Sequence, residues 1–406
     1  MSVPIPAEDP RYIPNRAVVD PSAITDNVRA LKSTLDEQTA LMAVVKADGY
    51  GHGMLATARA ALEGGATWLG AAHPAGALAL SNAGLDVPIL TWMYEPRTAA
   101  ALLPDLVAAG IDVSVGSMEM LHLVIDASRS VERRARVHLK IDTGMGRNGV
   151  LPSQAAPVVQ AIREEDFVQL VAAWTHLTDA DVPSDPATDQ QVDVFDSTVA
   201  ALTEEFGTIP LQHLANSAAL LSRPDLHRDL VRPGIAMYGY PPVETDLPLR
   251  PAMTVTSRLA LVKEVPAGTT VGYGRLHTAA STTRLGLVPM GYADGLHRAA
   301  SGKVSVLVRT AEGDRVVPQV GRISMDQIVL DLGPDSVAKA GDEVILFGDA
   351  RIGHESTPAE DGPGPDAAGS DGPAATTADD WARAAGTIPY EVLTSVNARV
   401  PREVRP

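Results

Sequence analysis

The chain has no cysteine among its 406 residues, which excludes disulfides, a thiol nucleophile and thiolate metal ligands. Aromatic residues are scarce, at 4%, and the 33 basic residues are outnumbered by 50 acidic ones. The resulting net charge of -17 argues against nucleic acid or an anionic membrane as a partner, because both are bound through basic stripes. No uncharged run is long enough to cross a bilayer, and the stretch Met1 to Pro10 lacks the basic start and apolar centre of a secretory leader. The expectation is therefore a cytoplasmic protein. Its 45% hydrophobic and 20% charged content is ordinary for a soluble chain, and its length suffices for two cores.

Short apolar runs recur from Ala40 onward, separated by alanine- and leucine-rich stretches with helical spacing, the rhythm of parallel βα units. Eight runs are legible: Leu41 to Lys46, Trp68 to Ala72, Pro88 to Trp92, Asp112 to Val115, Arg136 to Asp142, Leu170 to His176, Leu211 to Asn216 and Val231 to Ile235. They predict an α/β protein with an N-terminal (β/α)8 barrel over residues 14–250 rather than an open doubly wound sheet. No GxGxxG follows the first run, which also weighs against a dinucleotide fold. Past Pro251 the pattern changes to β-branched alternation, with strands expected at Met253 to Leu261, Thr283 to Pro289, Val304 to Val308, Val316 to Val320, Gln327 to Asp331 and Glu343 to Phe347. A mainly antiparallel β domain over 251–406 is the reading. Within it, Arg351 to Asp380 holds seven acidic residues and nine Gly or Pro with no aromatic, which predicts an acidic flexible surface loop, with order resuming at Trp381.

Lys46 ends the first apolar run and starts a glycine-rich turn, Lys46-Ala47-Asp48-Gly49-Tyr50-Gly51-His52-Gly53. The carboxyl ends of barrel strands are where chemistry sits, so this lysine points to an active-site mouth. Desolvation there would make its amine a nucleophile toward aldehydes. Other polar groups collect at strand ends: Lys140, Asp142 and Arg147 at the fifth, His176 at the sixth, Asn216 and Ser217 at the seventh, Arg232, Gly234 and Ile235 at the eighth. The turn Arg232 to Gly239 has proline and glycine where backbone N–H groups can approach an anion, with the Ser217 hydroxyl as a further donor. A nucleophilic lysine opposite a phosphate cradle is the plan of a pyridoxal phosphate enzyme. Nothing in the pattern calls for a metal.

These segments resemble those of bacterial alanine racemases. The resemblance extends in order over nearly the whole chain: Lys46 to Gly53, Leu139 to Arg147, His213 to Ala218, Arg232 to Gly239, Val271 to Arg275, Gly291 to Gly295, Gly321 to Asp326 and Thr387 to Leu393. It implies a pyridoxal 5'-phosphate enzyme that interconverts L-alanine and D-alanine for cell-wall peptidoglycan, working as a homodimer with shared active sites. By the resemblance, Lys46 carries the cofactor and is one base, and Tyr273 of a second subunit is the other. Arg147 and His176 hydrogen-bond the tyrosine region, and Arg232 partners the pyridine nitrogen. The phosphate falls to Tyr50, Ser217, Gly234, Ile235 and Tyr390, with Asn216 beside it at the cofactor. Arg147, Met325, Asp326 and Tyr292 line the substrate side. The match of Lys140 is carbamylated in many members, turning a cation into a carboxylate that holds the arginine; a plain pair with Asp142 is the alternative.

Two positions depart from the family pattern: Asp48-Gly49 stands where Asn-Ala is common, and Ser324 where cysteine is common. Neither supplies a proton-transfer group. Competing readings are a serine or broader-specificity racemase of the same fold, a decarboxylase of basic amino acids, and a non-catalytic cofactor carrier. Arg232 and the absence of cysteine argue against the decarboxylase. Tyr273 and the β domain argue against the carrier, which needs no second base.

Overall fold

Every one of the eight apolar runs is a strand of a single parallel sheet in the computed structural model, which describes residues 14–351 and 376–405. The strands are Ala40–Val44, Trp68–Ala71, Ile89–Thr91, Asp112–Val115, Ala135–Lys140, Val168–Trp174, Leu211–His213 and Leu230–Val231. The first seven neighbour one another in chain order, and the eighth lies beside the first. The remaining gap, between the seventh and eighth, is bridged by backbone bonds from Asp229 N to Gln212 O at 3.2 Å and from Arg232 N to Ala215 O at 2.9 Å. A closed (β/α)8 barrel results, as the spacing predicted. Met42, Trp68, Leu90, Ala172 and Leu230 pack together in one buried cluster.

Helices follow the strands because the intervening sequence starts and stops them locally. Proline occupies the first helical position of Pro74–Asn82, Pro96–Ala108 and Pro152–Arg163, where its missing N–H costs nothing. Glu95 and Ser117 cap Pro96–Ala108 and Met118–Ser130 by accepting from first-turn N–H groups. Because the strands are all parallel, their carboxyl ends share one face of the barrel.

The barrel unit comprises Ser22–Leu249, and the second unit combines the chain from Arg250 onward with the described residues up to Pro21. The boundary expected at residue 14 is thus corrected. Arg16–Val19 is a strand of the second unit, antiparallel to Met253–Thr256 and parallel to Ala17's other neighbour, Arg402–Val404. Its burial pattern resembles that of a barrel strand, so only partner choice separates the two assignments. Nine strands form the main sheet of this unit, in the order Leu261–Val265, Thr283–Val288, Ile328–Gly333, Gly313–Val320, Ser305–Thr310, Glu343–Phe347, Met253–Arg258, Arg16–Val19 and Arg402–Val404. All pairings but the last are antiparallel.

The acidic segment largely lies outside the described residues. At its C-terminal end the structure places order earlier than expected: Ala378–Ala385 is a helix, so Asp379 and Asp380 belong to its first turn. Thr377 and Asp380 cap each other, with Thr377 N donating to Asp380 Oδ2 at 2.9 Å and Asp380 N to Thr377 Oγ1 at 3.3 Å. The acidic pair that reads as solvated loop is therefore a helix start, where negative charge is favoured.

Candidate active site

Lys46 stands two residues beyond its strand, at the start of an unusual turn. Ala47, Asp48, Gly49 and Tyr50 have φ of 53°, 53°, 61° and 53°, so the chain makes one left-handed helical turn before the helix Met54–Glu63. Bonds from Gly49 N to Val45 O and from Gly51 N to Ala47 O, both 2.9 Å, close it, and Asp48 Oδ1 accepts from Met54 N at 2.8 Å. Left-handed geometry costs an L-residue roughly 1–2 kcal/mol. Glycine avoids that cost at position 49, where a Cβ would also press to 2.7 Å from Thr57 Oγ1. The expected strand-to-helix connection is present, and its strain sits beside the Lys46 amine.

The Lys46 amine is held below the usual lysine value, first by desolvation and then by the positive charge of Arg147. The residue as a whole remains open at the barrel mouth, so solvent screens part of that field. Its Nζ lies 5.9 Å from the centre of the Tyr50 ring, which packs on Tyr238 at 4.7 Å.

Across the mouth, the seventh and eighth strand ends build a polar cup. Asn216 spends its side chain as a helix cap, accepting from Ala219 N at 3.0 Å. Ser217 Oγ accepts from Gly234 N at 2.8 Å and Ala236 N at 3.4 Å, which gathers main-chain donors around one hydroxyl. Gly234 is required by close approach: a Cβ there would overlap the Tyr50 hydroxyl and stand 3.0 Å from its Cζ. Ile235 begins the short 3-10 helix Ile235–Tyr238, whose Tyr238 hydroxyl donates to Val44 O at 3.2 Å. Tyr50, Ser217, Gly234 and Ile235 are all buried. The Ser217 and Tyr50 hydroxyls and the clustered main-chain N–H groups, packed so closely that position 234 tolerates no Cβ, are the donor set that suits the phosphate of a pyridoxal cofactor.

Arg232 closes the floor. It is buried, and its Nη2 donates to Thr175 O at 2.9 Å and Leu214 O at 3.0 Å, while Nη1 faces His213 Nδ1 at 3.1 Å. The guanidinium stacks over Trp174, 5.0 Å from the ring centre. Burial lowers its pKa to about 9, which leaves it cationic at neutral pH. His176 Nδ1 lies 3.4 Å from Arg232 Nη2. Burial, then Arg232 and Arg147, keep His176 well below the usual histidine value, so it is a neutral ring. Gln191, which the sequence reading passed over, ties this corner together by donating to Thr143 Oγ1 and His176 O, both at 3.1 Å.

Lys140 is buried with its Nζ 4.4 Å from the Trp174 ring centre. Desolvation first, and then Arg232 and Arg147, lower its pKa to about 8. Among the described residues it forms no ion pair with Asp142. That carboxylate instead accepts from Gly144 N at 3.0 Å and Gly146 N at 3.1 Å, which shapes the loop bearing the exposed Arg147.

The structure therefore brings Lys46, Tyr50, Lys140, Arg147, His176, Asn216, Ser217, Arg232, Gly234 and Ile235 to one end of the barrel. Tyr273, Tyr292, Met325, Asp326 and Tyr390 belong to the second unit. Tyr273 is 72% exposed on a tight turn whose flanking Gly272 and Gly274 have φ of 71° and 72° and lie against Arg322. Backbone bonds from Tyr292 N to Ser324 O and Ala293 N to Met325 O join the next two loops, and Arg399 holds Asp326 at 2.7 Å. Tyr390 sits in the helix Pro389–Ser395. Tyr273, Tyr292 and Met325 thus form exposed apolar groups on loops of one unit.

The sequence matches the family profile of the alanine racemase N-terminal domain over residues 19–242 and that of the C-terminal domain over 252–362. The chain belongs to the alanine racemase family. It is 43% identical over 394 residues to the alanine racemase of Frankia casuarinae, covering 95% of each chain, and 44% identical over 402 residues to that of Streptomyces coelicolor, again covering 95% of each. The solved alanine racemase from D-cycloserine-producing Streptomyces lavendulae superposes with a TM-score of 0.86 at 42% identity, covering 97% of both chains. The protein is thus an amino-acid racemase of this family, an isomerase built on a barrel and a β domain.

Proposed function

We propose that the protein interconverts L-alanine and D-alanine with pyridoxal 5'-phosphate, in a homodimer whose active sites each draw on two subunits. The observation that carries this reading is the gathering, at one barrel end, of the partly desolvated Lys46 amine, the main-chain N–H groups of Gly234 and Ala236 around Ser217 Oγ, and the buried Arg232. Lys46 would hold the cofactor, with Tyr50, Ser217, Gly234, Ile235 and Tyr390 on its phosphate, Asn216 alongside and Arg232 at the ring nitrogen. When bound, the cofactor acidifies the substrate Cα–H by drawing electrons from it.

The remaining work falls to side chains. Racemisation removes a proton from one face of Cα and returns one to the other, so it needs two acid–base groups on opposite sides. Lys46 serves one face, aided by an amine that gives up its proton more readily than a solvated lysine. Tyr273 of a second copy serves the other, and its exposure on a glycine-flanked turn suits a residue that acts across subunits. Arg147 and His176 hydrogen-bond the tyrosine region, while Arg147, Met325, Asp326 and Tyr292 shape the substrate side. An always-cationic Arg232 disfavours a protonated ring nitrogen and so limits side reactions. The same reading places the protein in the cytoplasm, supplying D-alanine for peptidoglycan.

Initial rates with both enantiomers of alanine and of serine on the purified, cofactor-loaded protein test the assignment. Racemisation of alanine exceeding that of serine supports it, whereas serine as the better substrate moves the protein to the broader-specificity reading. Borohydride reduction should fix the cofactor to Lys46, and a stable adduct at another lysine in Lys46→Ala would refute the central role.

A further inference from the structure

Three ionisable side chains inside the barrel remain without a role, and they stand in line beneath Arg232. Asp112 opens the fourth strand, His138 lies two residues before Lys140 in the fifth, and His213 closes the seventh. All three are fully buried. His213 Nδ1 faces Arg232 Nη1 at 3.1 Å, His213 Nε2 faces His138 Nδ1 at 2.9 Å, and His138 Nε2 faces Asp112 Oδ2 at 3.0 Å. Arg136 completes the far end, its Nε 2.6 Å from Asp112 Oδ1 and its Nη2 3.1 Å from Oδ2.

The two ends dictate the direction of every bond between them. A guanidinium only donates and a carboxylate only accepts. His213 Nδ1 must therefore accept from Arg232, so a neutral His213 carries its proton on Nε2 and donates to His138 Nδ1. His138 in turn carries its proton on Nε2 and donates to Asp112. Burial first, and then the charge of Arg232, hold His213 well below the usual histidine value, in accord with a neutral ring. Aromatic walls keep the rings from turning away: His213 stacks on Trp174 at 5.3 Å and 12°, and Trp68 meets His138 edge-on at 5.6 Å. With the carboxylate gone, both imidazoles could reverse, and His213 would then turn an N–H toward the N–H of Arg232.

We propose that Asp112 is a positioning residue for the racemase reaction, acting through His138 and His213 to keep an acceptor, never a donor, against Arg232. The guanidinium is thereby held in one plane and orientation toward the barrel mouth. The proposal rests on the reading of Arg232 as the partner of the cofactor ring.

Substitution at Asp112 separates this role from simple bracing by the Asp112–Arg136 ion pair. Asp112→Leu keeps the approximate volume but removes the acceptor. Asp112→Asn can keep a carbonyl oxygen toward His138, and Arg136→Ala removes the ion pair alone. Arg136 lines a cavity of about 470 Å³, so solvent can take its place. In two-bond proton–nitrogen spectra of 15N-labelled holoenzyme, wild type should show His213 protonated only at Nε2. Asp112→Leu should lose that single tautomer and lower kcat by about 10-fold with KM nearly unchanged, the lower end of what removing a group hydrogen-bonded directly to a metal ligand costs, because two histidines separate Asp112 from Arg232. Asp112→Asn should recover most of the turnover and the wild-type tautomer, and Arg136→Ala should resemble wild type.

Equal impairment in all three variants would overturn the proposal in favour of bracing. A His213 protonated at Nδ1 in wild type, or a wild-type tautomer and turnover in Asp112→Leu, would overturn it as well. The histidine spectra can also be read without bound cofactor, so a failure of the pyridoxal reading would be distinguished from a failure of the relay.

Discussion

Gly234→Ala should weaken cofactor binding by displacing a neighbour rather than by removing any group. The new Cβ would overlap the Tyr50 hydroxyl and sit 3.0 Å from Cζ, where ordinary contact begins near 3.4 Å. Tyr50 cannot simply yield, because it is buried and its ring rests on Tyr238. The phenol must rotate away from the cup, and a hydroxyl hydrogen bond to a charged group is worth about 1.5–3 kcal/mol. The expected loss is therefore roughly 10-fold to 150-fold in Kd for pyridoxal phosphate, and Tyr50→Phe should show a loss of similar size. Because both substitutions remove the same contact, the double variant should bind much more tightly than the product of the two single losses implies. Titration of each apoenzyme with the cofactor, followed by absorbance, measures all four affinities. Wild-type affinity in Gly234→Ala, or losses that multiply, would show that the cup is not organised around the Tyr50 hydroxyl.

Mixing inactive Lys46→Ala and Tyr273→Phe proteins under subunit exchange should restore up to one competent site per heterodimer; exchange seen by mass without recovered activity would count against a shared site. Lys140, lowered to about 8 from 10.5, leaves the folded state with fewer bound protons than the unfolded chain between those values, so its contribution makes stability rise with pH across that window. Lys140→Met should flatten the rise in CO2-free buffer, and addition of 13C-labelled CO2 should give a carbamate carbon signal in wild type alone. Gly49→Ala should destabilise the barrel by about 1–2 kcal/mol from left-handed geometry, with more from the clash with Thr57. Thr57→Ala should relieve the second part only, and thermal unfolding of the four proteins that shows no coupling would place the strain elsewhere.

Much of this protein is legible in the order of its residues. Eight apolar runs, five of them with polar groups at their ends, determine a barrel with one chemically active face, because parallel strand ends share direction and several of the following helices are started by a local cap or proline. Lys46 and Arg232 could be singled out because a charge beside a glycine-bearing turn at a strand end has a local signature, and Ser217 because its hydroxyl follows the seventh run. Arg16–Val19 has none, and only its pairing with Met253–Thr256 assigns it to the β unit. The left-handed turn at Ala47 to Tyr50 was equally hidden, since one glycine among three L-residues does not announce four positive φ values. Asp112, His138 and His213 could have been noticed as ionisable residues inside apolar strands. Their alignment, however, depends on the register of three strands far apart in sequence. Residue order supplies the groups and their spacing along each strand; only closure of the barrel sets donors against acceptors and shifts the amines.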